Sequence, residues 1–414
     1  MKYGFIKVAA AIPSVKVGDT KFNLGEIEKQ IAVAEGMGVE IISFPELSLT
    51  GYSCQDLFRQ QLLLDNAEHA LLMLLDFTRQ LDIITIVGAP VCVGSLLLNC
   101  AVVIQQGRIL GIVPKTYLPN YSEFYEKRWF ASAQDLHPQR IHYAGHHLLV
   151  TPGQQVFRTA DGVKFGIEIC EDVWAPAPPS SCLALAGAEI IFNLSASDDL
   201  IGKHGYLKSL LAQQSARTIS GYVYSSCGFG ESTQDVVYGG NALIYENGQL
   251  LEEADRFSLT PQMKVSEIDV EKIRSERRTN STYVNAQRPP MTGTVSVAKE
   301  TGGAEEFVHC LPKNNPEKEF TLSRTVSHIP SSPHRPIWLP HVRRYSIFRS
   351  ADWQSGSSIP IVRRLSLVSA EVLTLPLPCL SASRPSISWA TTERESWALP
   401  CPDSVLPAAP ITMP

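Results

Sequence analysis

A carboxylate, an ammonium and a thiol stand in three short segments, each just after an apolar run that reads as a strand. Glu46 lies in Ser43-Phe-Pro-Glu-Leu-Ser-Leu-Thr-Gly-Tyr52, Lys115 in Val113-Pro-Lys-Thr-Tyr-Leu-Pro-Asn120, and Cys170 in Gly166-Ile-Glu-Ile-Cys-Glu-Asp-Val-Trp174. Together these types suit the cleavage of an amide. A thiol attacks only as its thiolate and is mostly protonated near pH 7, so it needs a base. A glutamate of raised pKa can take that proton and return it to the departing amine. A lysine ammonium beside the sulfur lowers the thiol pKa and offsets the charge that grows on the carbonyl oxygen. Taken singly, each residue also has an ordinary reading: Cys170 as a buried inert thiol, Glu46 as a loop carboxylate or helix cap, Lys115 as a surface lysine. Glu123 and Glu126 are further acidic candidates beside Lys115, ranked behind Glu46.

Three strand ends must meet for this chemistry to occur, and the hydrophobic pattern supplies the strands. Lys2 to Ile12, Val39 to Phe44, Ile83 to Gly88, Lys164 to Cys170, Glu189 to Leu194 and Gly221 to Ser226 are apolar, strand-length runs. Hairpins are expected over Asn99 to Ile112, turning at Gln106-Gly107, and over Ala242 to Glu252, turning at Asn247-Gly248. Helices are expected from a cap at Asn23 to Met37, with Leu24, Ile27, Ile31 and Ala34 on one face, and over Asn66 to Gln80 and Tyr206 to Ile219. Hairpins interrupt the alternation of strand and helix, which argues against a purely parallel sheet. Two mixed sheets face to face, with helices outside, would bury all of these runs. All three reactive groups are expected at one end of a sheet.

Composition bounds the class. The 414 residues are 44% hydrophobic with a net charge of -5, enough for a large core and no reason to expect nucleic acid or an anionic membrane as partner. No run approaches the roughly 20 apolar residues that cross a bilayer, and the first residues lack the apolar stretch of a secretion signal. Nine scattered cysteines, an odd number without metal-ligand spacing, suit free thiols in a reducing cytoplasm; no metal is expected.

In their contexts and order, Glu46, Lys115 and Cys170 resemble the carbon–nitrogen hydrolase (nitrilase) superfamily over roughly residues 3–285. Longer segments narrow the resemblance to the glutaminase domain of glutamine-dependent NAD+ synthetases. They are Glu46 to Leu57, Lys115 to Phe130, Cys170-Glu-Asp-Val-Trp174 and Asn193-Leu-Ser-Ala-Ser197. The resemblance implies an α/β fold, a four-layer αββα sandwich, over residues 1–287. It implies that Glu46 is the general base, Lys115 the oxyanion stabiliser and Cys170 the nucleophile that forms a glutamyl thioester. It places Tyr52, Phe124, Glu171 and Ser197 around glutamine, although these types also suit core aromatics, a supporting carboxylate and a helix cap. It further implies a homo-oligomer formed through this domain and no cofactor for it. ATP and Mg would belong to a following synthetase domain. Two other outcomes stay open: an amidase for another small amide, or an inactive truncated relic.

Residues 288–326 read as a polar linker toward such a synthetase domain. From Ser327 to Pro414 the character changes: no lysine, four of the six tryptophans, and prolines throughout. The pyrophosphate loop Ser-Gly-Gly-x-Asp-Ser is not spelled there. Ser369 to Pro378, SAEVLTLPLP, can however be encoded by bases that read SGGLDSTLAL when two are dropped, and the same offset turns Pro400 to Pro414 into MPGFGTTGRTDNHA. The expectation is a frame shift near Val326–Ser327, with residues 327–414 an out-of-frame, disordered tail in place of the synthetase domain. Codons that cannot be re-phased in this way would refute it.

Overall fold

Short β-branched runs and longer periodic stretches alternate along the chain and set its elements. The computed structural model describes residues 1–152, 154–287, 307–315 and 320–324. In order these hold β1 (Phe5–Ile12), α1 (Thr20–Gly36), β2 (Ile41–Ser43), α2 (Gln61–Phe77), β3 (Ile84–Val93), β4 (Leu96–Gln105) and β5 (Arg108–Pro114). A hairpin of β6 (Gln139–Tyr143) and β7 (His146–Val150) leads to β8 (Val156–Arg158), β9 (Lys164–Ile169), α3 (Pro179–Leu185), β10 (Ile190–Ser195) and α4 (Lys203–Thr218). Then come β11 (Gly221–Ser226), β12 (Ala242–Glu246), β13 (Gln249–Glu253), β14 (Gln262–Asp269), α5 (Val270–Thr279), α6 (Ser281–Ala286) and β15 (Val308–His309).

The strands form a six-stranded sheet, β14-β1-β2-β3-β4-β5, and a seven-stranded sheet, β13-β12-β11-β10-β9-β8-β15. Both are mixed: β1, β2 and β3 run parallel, as do β9, β10 and β11, while hairpin partners run antiparallel. Ile6, Val8 and Ala10 of β1 face Phe165, Ile167, Phe192 and Val223 of the other sheet in one core. The alternate residues Ala9 and Ala11 pack under Ile27 and Ile31 of α1 and Leu71 and Leu74 of α2. Across the second sheet, Ile191, Tyr222 and Tyr224 meet Leu183 of α3 and Leu207 and Leu211 of α4. The layers are therefore helix, sheet, sheet, helix, and burial on both faces explains why the strands read as continuous apolar runs. Each fully buried aliphatic or aromatic side chain contributes about 1.5–3 kcal/mol.

Both expected turns form, with both central residues left-handed: Gln106 and Gly107 at φ 48° and 71°, Asn247 and Gly248 at 46° and 82°. Asn23 does not cap α1. Asp19 does, accepting from Phe22 N–H at 3.0 Å, while Asn23 lies one turn inside and ties the Lys16 backbone to Leu49 O. Helix α2 starts at Gln61, five positions before the expected Asn66. The described parts of the expected linker run along the sandwich. There β15 pairs with β8, Lys313 with Glu40 and Asp161, Asn314 and Asn315 N–H with Asp82, and Arg324 with Glu246. A division between Val326 and Ser327 separates a second unit, which lies outside the described residues together with the tail expected there. No helix among the described residues is long and apolar enough to cross a membrane.

Candidate active site

Glu46 follows β2, and the backbone needs special room there. Leu47 is left-handed at φ 51°, and a Cβ on Gly88 of β3 would stand 2.1 Å from Leu47 N. Glycine at 88 thus lets the Glu46 turn lie on the neighbouring strand, held by Leu49 N–H to Gly88 O at 3.1 Å. Cys170 follows β9 and opens a short 3-10 turn, itself left-handed at φ 46°. A non-glycine residue in that region costs on the order of 1–3 kcal/mol and is found mainly where a site demands it. Lys115 follows β5, its N–H bonded to Asn99 O at 2.8 Å. The three groups come from the ends of both sheets, Glu46 and Lys115 from one and Cys170 from the other, and not from one sheet as the sequence pattern suggested.

Short polar contacts join Glu46 and Lys115 to each other and to Glu126. Lys115 Nζ lies 2.6 Å from Glu46 Oε1 and 2.8 and 3.0 Å from the two oxygens of Glu126. Glu46 Oε1 also accepts from Asn99 Nδ2 at 2.6 Å, and its Oε2 accepts from Ala196 N–H at 3.0 Å. Tyr52 hydroxyl donates to Glu126 at 2.7 Å. Glu46, Lys115 and Glu126 are each 1% exposed, so these contacts act in low dielectric.

Electrostatics follow from burial. Burial opposes the charge on Lys115, but Glu126 and Glu46 outweigh it and hold the ammonium well above the ordinary lysine value. Burial raises the Glu126 carboxyl, against the pull of Lys115. Burial likewise pushes the Cys170 thiol above its ordinary value; Glu46 and Glu126 add to the rise, while Lys115 and Ala196 N–H oppose it. Lysine therefore acts on the thiol in the expected direction, yet desolvation wins and the resting sulfur keeps its proton.

Tyr52 stands between this floor and an open cleft, lined also by Glu123, Phe124, Tyr125, Asp235 and Tyr238. Tyr52 and Phe124 thus both line the cleft. Glu171 does not line the cleft; its carboxylate accepts from Tyr121 hydroxyl at 2.8 Å and is raised by burial. Ser197 is 4% exposed beyond β10, with its N–H on Ser226 Oγ, and caps no helix, since α4 begins after Gly202. Four participants were not singled out from sequence: Asn99, Asp172, Glu231 and the Ala196 amide. Asn99 carried a usable signal, a lone amide within the apolar run Leu96 to Ile104. Glu126, ranked behind Glu46, sits at the centre. Among the described residues no cluster of His, Cys, Asp and Glu suits a metal ion, and the seven cysteines are free thiols.

The carbon–nitrogen hydrolase family model matches residues 7–278. The chain is 38% identical over 289 residues to a glutamine-dependent NAD(+) synthetase of Mycobacterium tuberculosis, covering 69% of this chain and 42% of that one. Its fold is similar to a crystal structure of a glutamine-dependent NAD(+) synthetase from Cytophaga hutchinsonii, with TM-score 0.56, 28% identity, and 64% and 43% of the two chains covered. An amidase from Nesterenkonia sp. AN1 shares the fold at TM-score 0.52 and 18% identity, over 67% of this chain and 96% of that one. The chain spans less than half the length of the two synthetases it matches here.

Proposed function

The chain belongs to the carbon–nitrogen hydrolase family, and from that premise we propose that it hydrolyses glutamine to glutamate and ammonia at Cys170. The observation that carries the reading is the buried contact chain from Glu46 through Lys115 and Glu126 to Tyr52 of the cleft, with Cys170 close enough to Glu46 and Lys115 for both to act on its thiol. In the proposed sequence, Cys170 Sγ attacks the side-chain amide carbon as Glu46 takes the thiol proton. Lys115 balances the charge on the tetrahedral oxygen, a contribution worth about 10²–10³ in rate for one such donor. Glu46 then gives its proton to the leaving nitrogen, ammonia departs, and a glutamyl thioester remains. Water attacks the thioester, Glu46 takes a proton from the water, and the sulfur recovers it as glutamate leaves.

Glu126 serves this sequence by holding the lysine ammonium in place. The cleft suits an amino acid, with Glu123 and Asp235 available to an ammonium and Tyr52, Phe124 and Tyr238 offering aromatic walls to the aliphatic arm. Glu171 and Ser197 complete the proposed glutamine set. The cleavage is written with protein groups alone; ATP and Mg stay outside it, because the phosphate-loop motif is not spelled in the chain. The identity to glutamine-dependent NAD(+) synthetases favours ammonia destined for NAD biosynthesis; the cytoplasm as its place and a homo-oligomer of this domain as its assembly are part of the same proposal. On the out-of-frame reading of residues 327–414, the chain forms no NAD itself.

Ammonia release from glutamine by the purified chain and by Cys170→Ala, with NAD measured in the same tubes, tests all of this. Release that is lost in the variant, without NAD, is expected. NAD formation would overturn the tail reading, and absence of ammonia from the parent chain would overturn the glutaminase.

A further inference from the structure

Asp172 is 2% exposed and stands two residues after Cys170. Its Oδ2 accepts from Ile169 N–H at 2.9 Å, on the residue before the thiol. Its Oδ1 accepts from Thr116 N–H at 3.2 Å and Tyr117 N–H at 2.8 Å, on the residues just after Lys115. The first contact alone is an ordinary local cap. The other two cross from the second sheet to the first, over 55 and 56 positions of sequence. All three partners are donors, so the two carboxyl oxygens satisfy them where an amide must turn its NH₂ toward one; burial raises the carboxyl to about 8, against the pull of the Ile169 and Tyr117 N–H bonds.

We propose that Asp172 is a positioning residue that sets the spacing of Cys170 and Lys115 by bonding the backbone beside each. The need is evident in the left-handed φ of 46° at Cys170, a turn that its surroundings must enforce. Lys115 is held independently, by Asn99 O on its N–H and by Ala133 N–H on its carbonyl. Loss of the Asp172 bridge therefore moves the sulfur relative to a fixed ammonium, and misplacement by about 1 Å costs about 10²-fold in a reaction that depends on orientation.

This inference rests on Cys170 and Lys115 acting as nucleophile and charge partner, and its test is chosen to be readable without glutamine turnover. Alkylation by iodoacetamide is followed by peptide mass spectrometry at Cys170 and at the exposed Cys92, which serves as a control within each sample. In Asp172→Asn the Cys170 rate should fall about tenfold at pH 7 with the Cys92 rate unchanged. Its pH profile should move upward by about one unit as the lysine field weakens. Asp172→Glu, which keeps the acceptors, should recover part of the rate. Where Asp172→Asn does not fold, Asp172→Ser gives the same comparison without forcing an NH₂ against the backbone. A purely structural cap would lower the melting temperature and leave the Cys170 to Cys92 ratio and the pH profile unchanged, and that result overturns the proposal. A parent Cys170 no faster than in the variant overturns it as well. Absence of ammonia from the parent chain would instead count against the glutaminase and leave the alkylation ratio to be judged by itself.

Discussion

At the floor of the site Glu46, Lys115 and Glu126 are each 1% exposed and joined by contacts of 3.0 Å or less, whereas at its mouth Tyr125 is 39% exposed and Tyr52 and Phe124 line an open cleft. The floor is built just past two strand ends of one sheet and on the short 3-10 turn Glu126–Arg128; the mouth is built on loops and short turns. Charges buried together depend on one another, so removing one strands the rest. An aromatic wall in a cleft carries its contribution mostly alone. A change at the floor should therefore act on turnover and folding together, and one at the mouth on substrate affinity.

The largest effect is expected from Lys115→Met. It leaves the Glu46 and Glu126 carboxylates facing each other without a counter-charge, at about 3–5 kcal/mol in stability, and removes the oxyanion partner, about 10²–10³ in kcat. Ammonia assays and denaturant titration should register both losses. A variant with normal stability would mean that the pair takes up protons freely and that the floor is less tightly coupled than its distances imply. Gly88→Ala comes next. The added methyl meets the Leu47 backbone, which cannot yield as a side chain can, so the Glu46 turn must shift. A fall of about 10²-fold in kcat with little change in KM is expected.

Phe124→Ala probes the mouth. Trimming one wall of the cleft should raise KM for glutamine about 10-fold, the usual order for a few methylenes of contact, and leave kcat within a factor of two or so. A loss confined to kcat would erase the distinction between floor and mouth.

What was legible follows the same division. Glu46, Lys115 and Cys170 each follow an apolar strand, which made them candidates, and their order and neighbours, through the family resemblance, singled them out. Asn99 and Asp172 act on partners 53 and 55–56 residues away, across strands or sheets, and nothing in their own neighbourhoods states this. Glu231 shows the same: it accepts from Tyr52 and Ser53, 179 and 178 positions earlier, and so fixes the wall of the cleft. Asn23 misled because its amide is satisfied by Lys16 and Leu49 and not by the helix start, where Asp19 competes successfully. The layered fold was readable because burial on both faces forces unbroken apolar strands. The docking of residues 307–315 and 320–324 was not, because a polar stretch looks like a linker until its charged partners are known.

That docked stretch gives the smallest and most separable effect. Arg324 bonds the buried Glu246 and the Glu267 carbonyl, while Ser323 bonds the Glu267 carboxylate. Burial would raise both carboxyls, but the Arg324 bonds at Glu246, and those of Ser323 and Lys7 at Glu267, outweigh it and hold both below the ordinary value of 4.5. A carboxyl lowered by folding adds stability above its unfolded value and loses it as pH falls through the folded one. Arg324→Ala should therefore cost about 2 kcal/mol at pH 7, the scale of hydrogen bonds to a charged group, and progressively less below about pH 4.5. Glu246 pairs with Gly221 at the start of β11 and Glu267 with Lys7 near the start of β1, at the strand ends opposite those that Glu46 and Cys170 follow. Ammonia release should accordingly be unchanged in Arg324→Ala at pH 7. Urea titrations at several pH values decide the matter: a stability gap that stays constant into acid would assign the contribution of Arg324 to packing on Phe5, whose ring centre lies 5.7 Å away, and not to its ion pair.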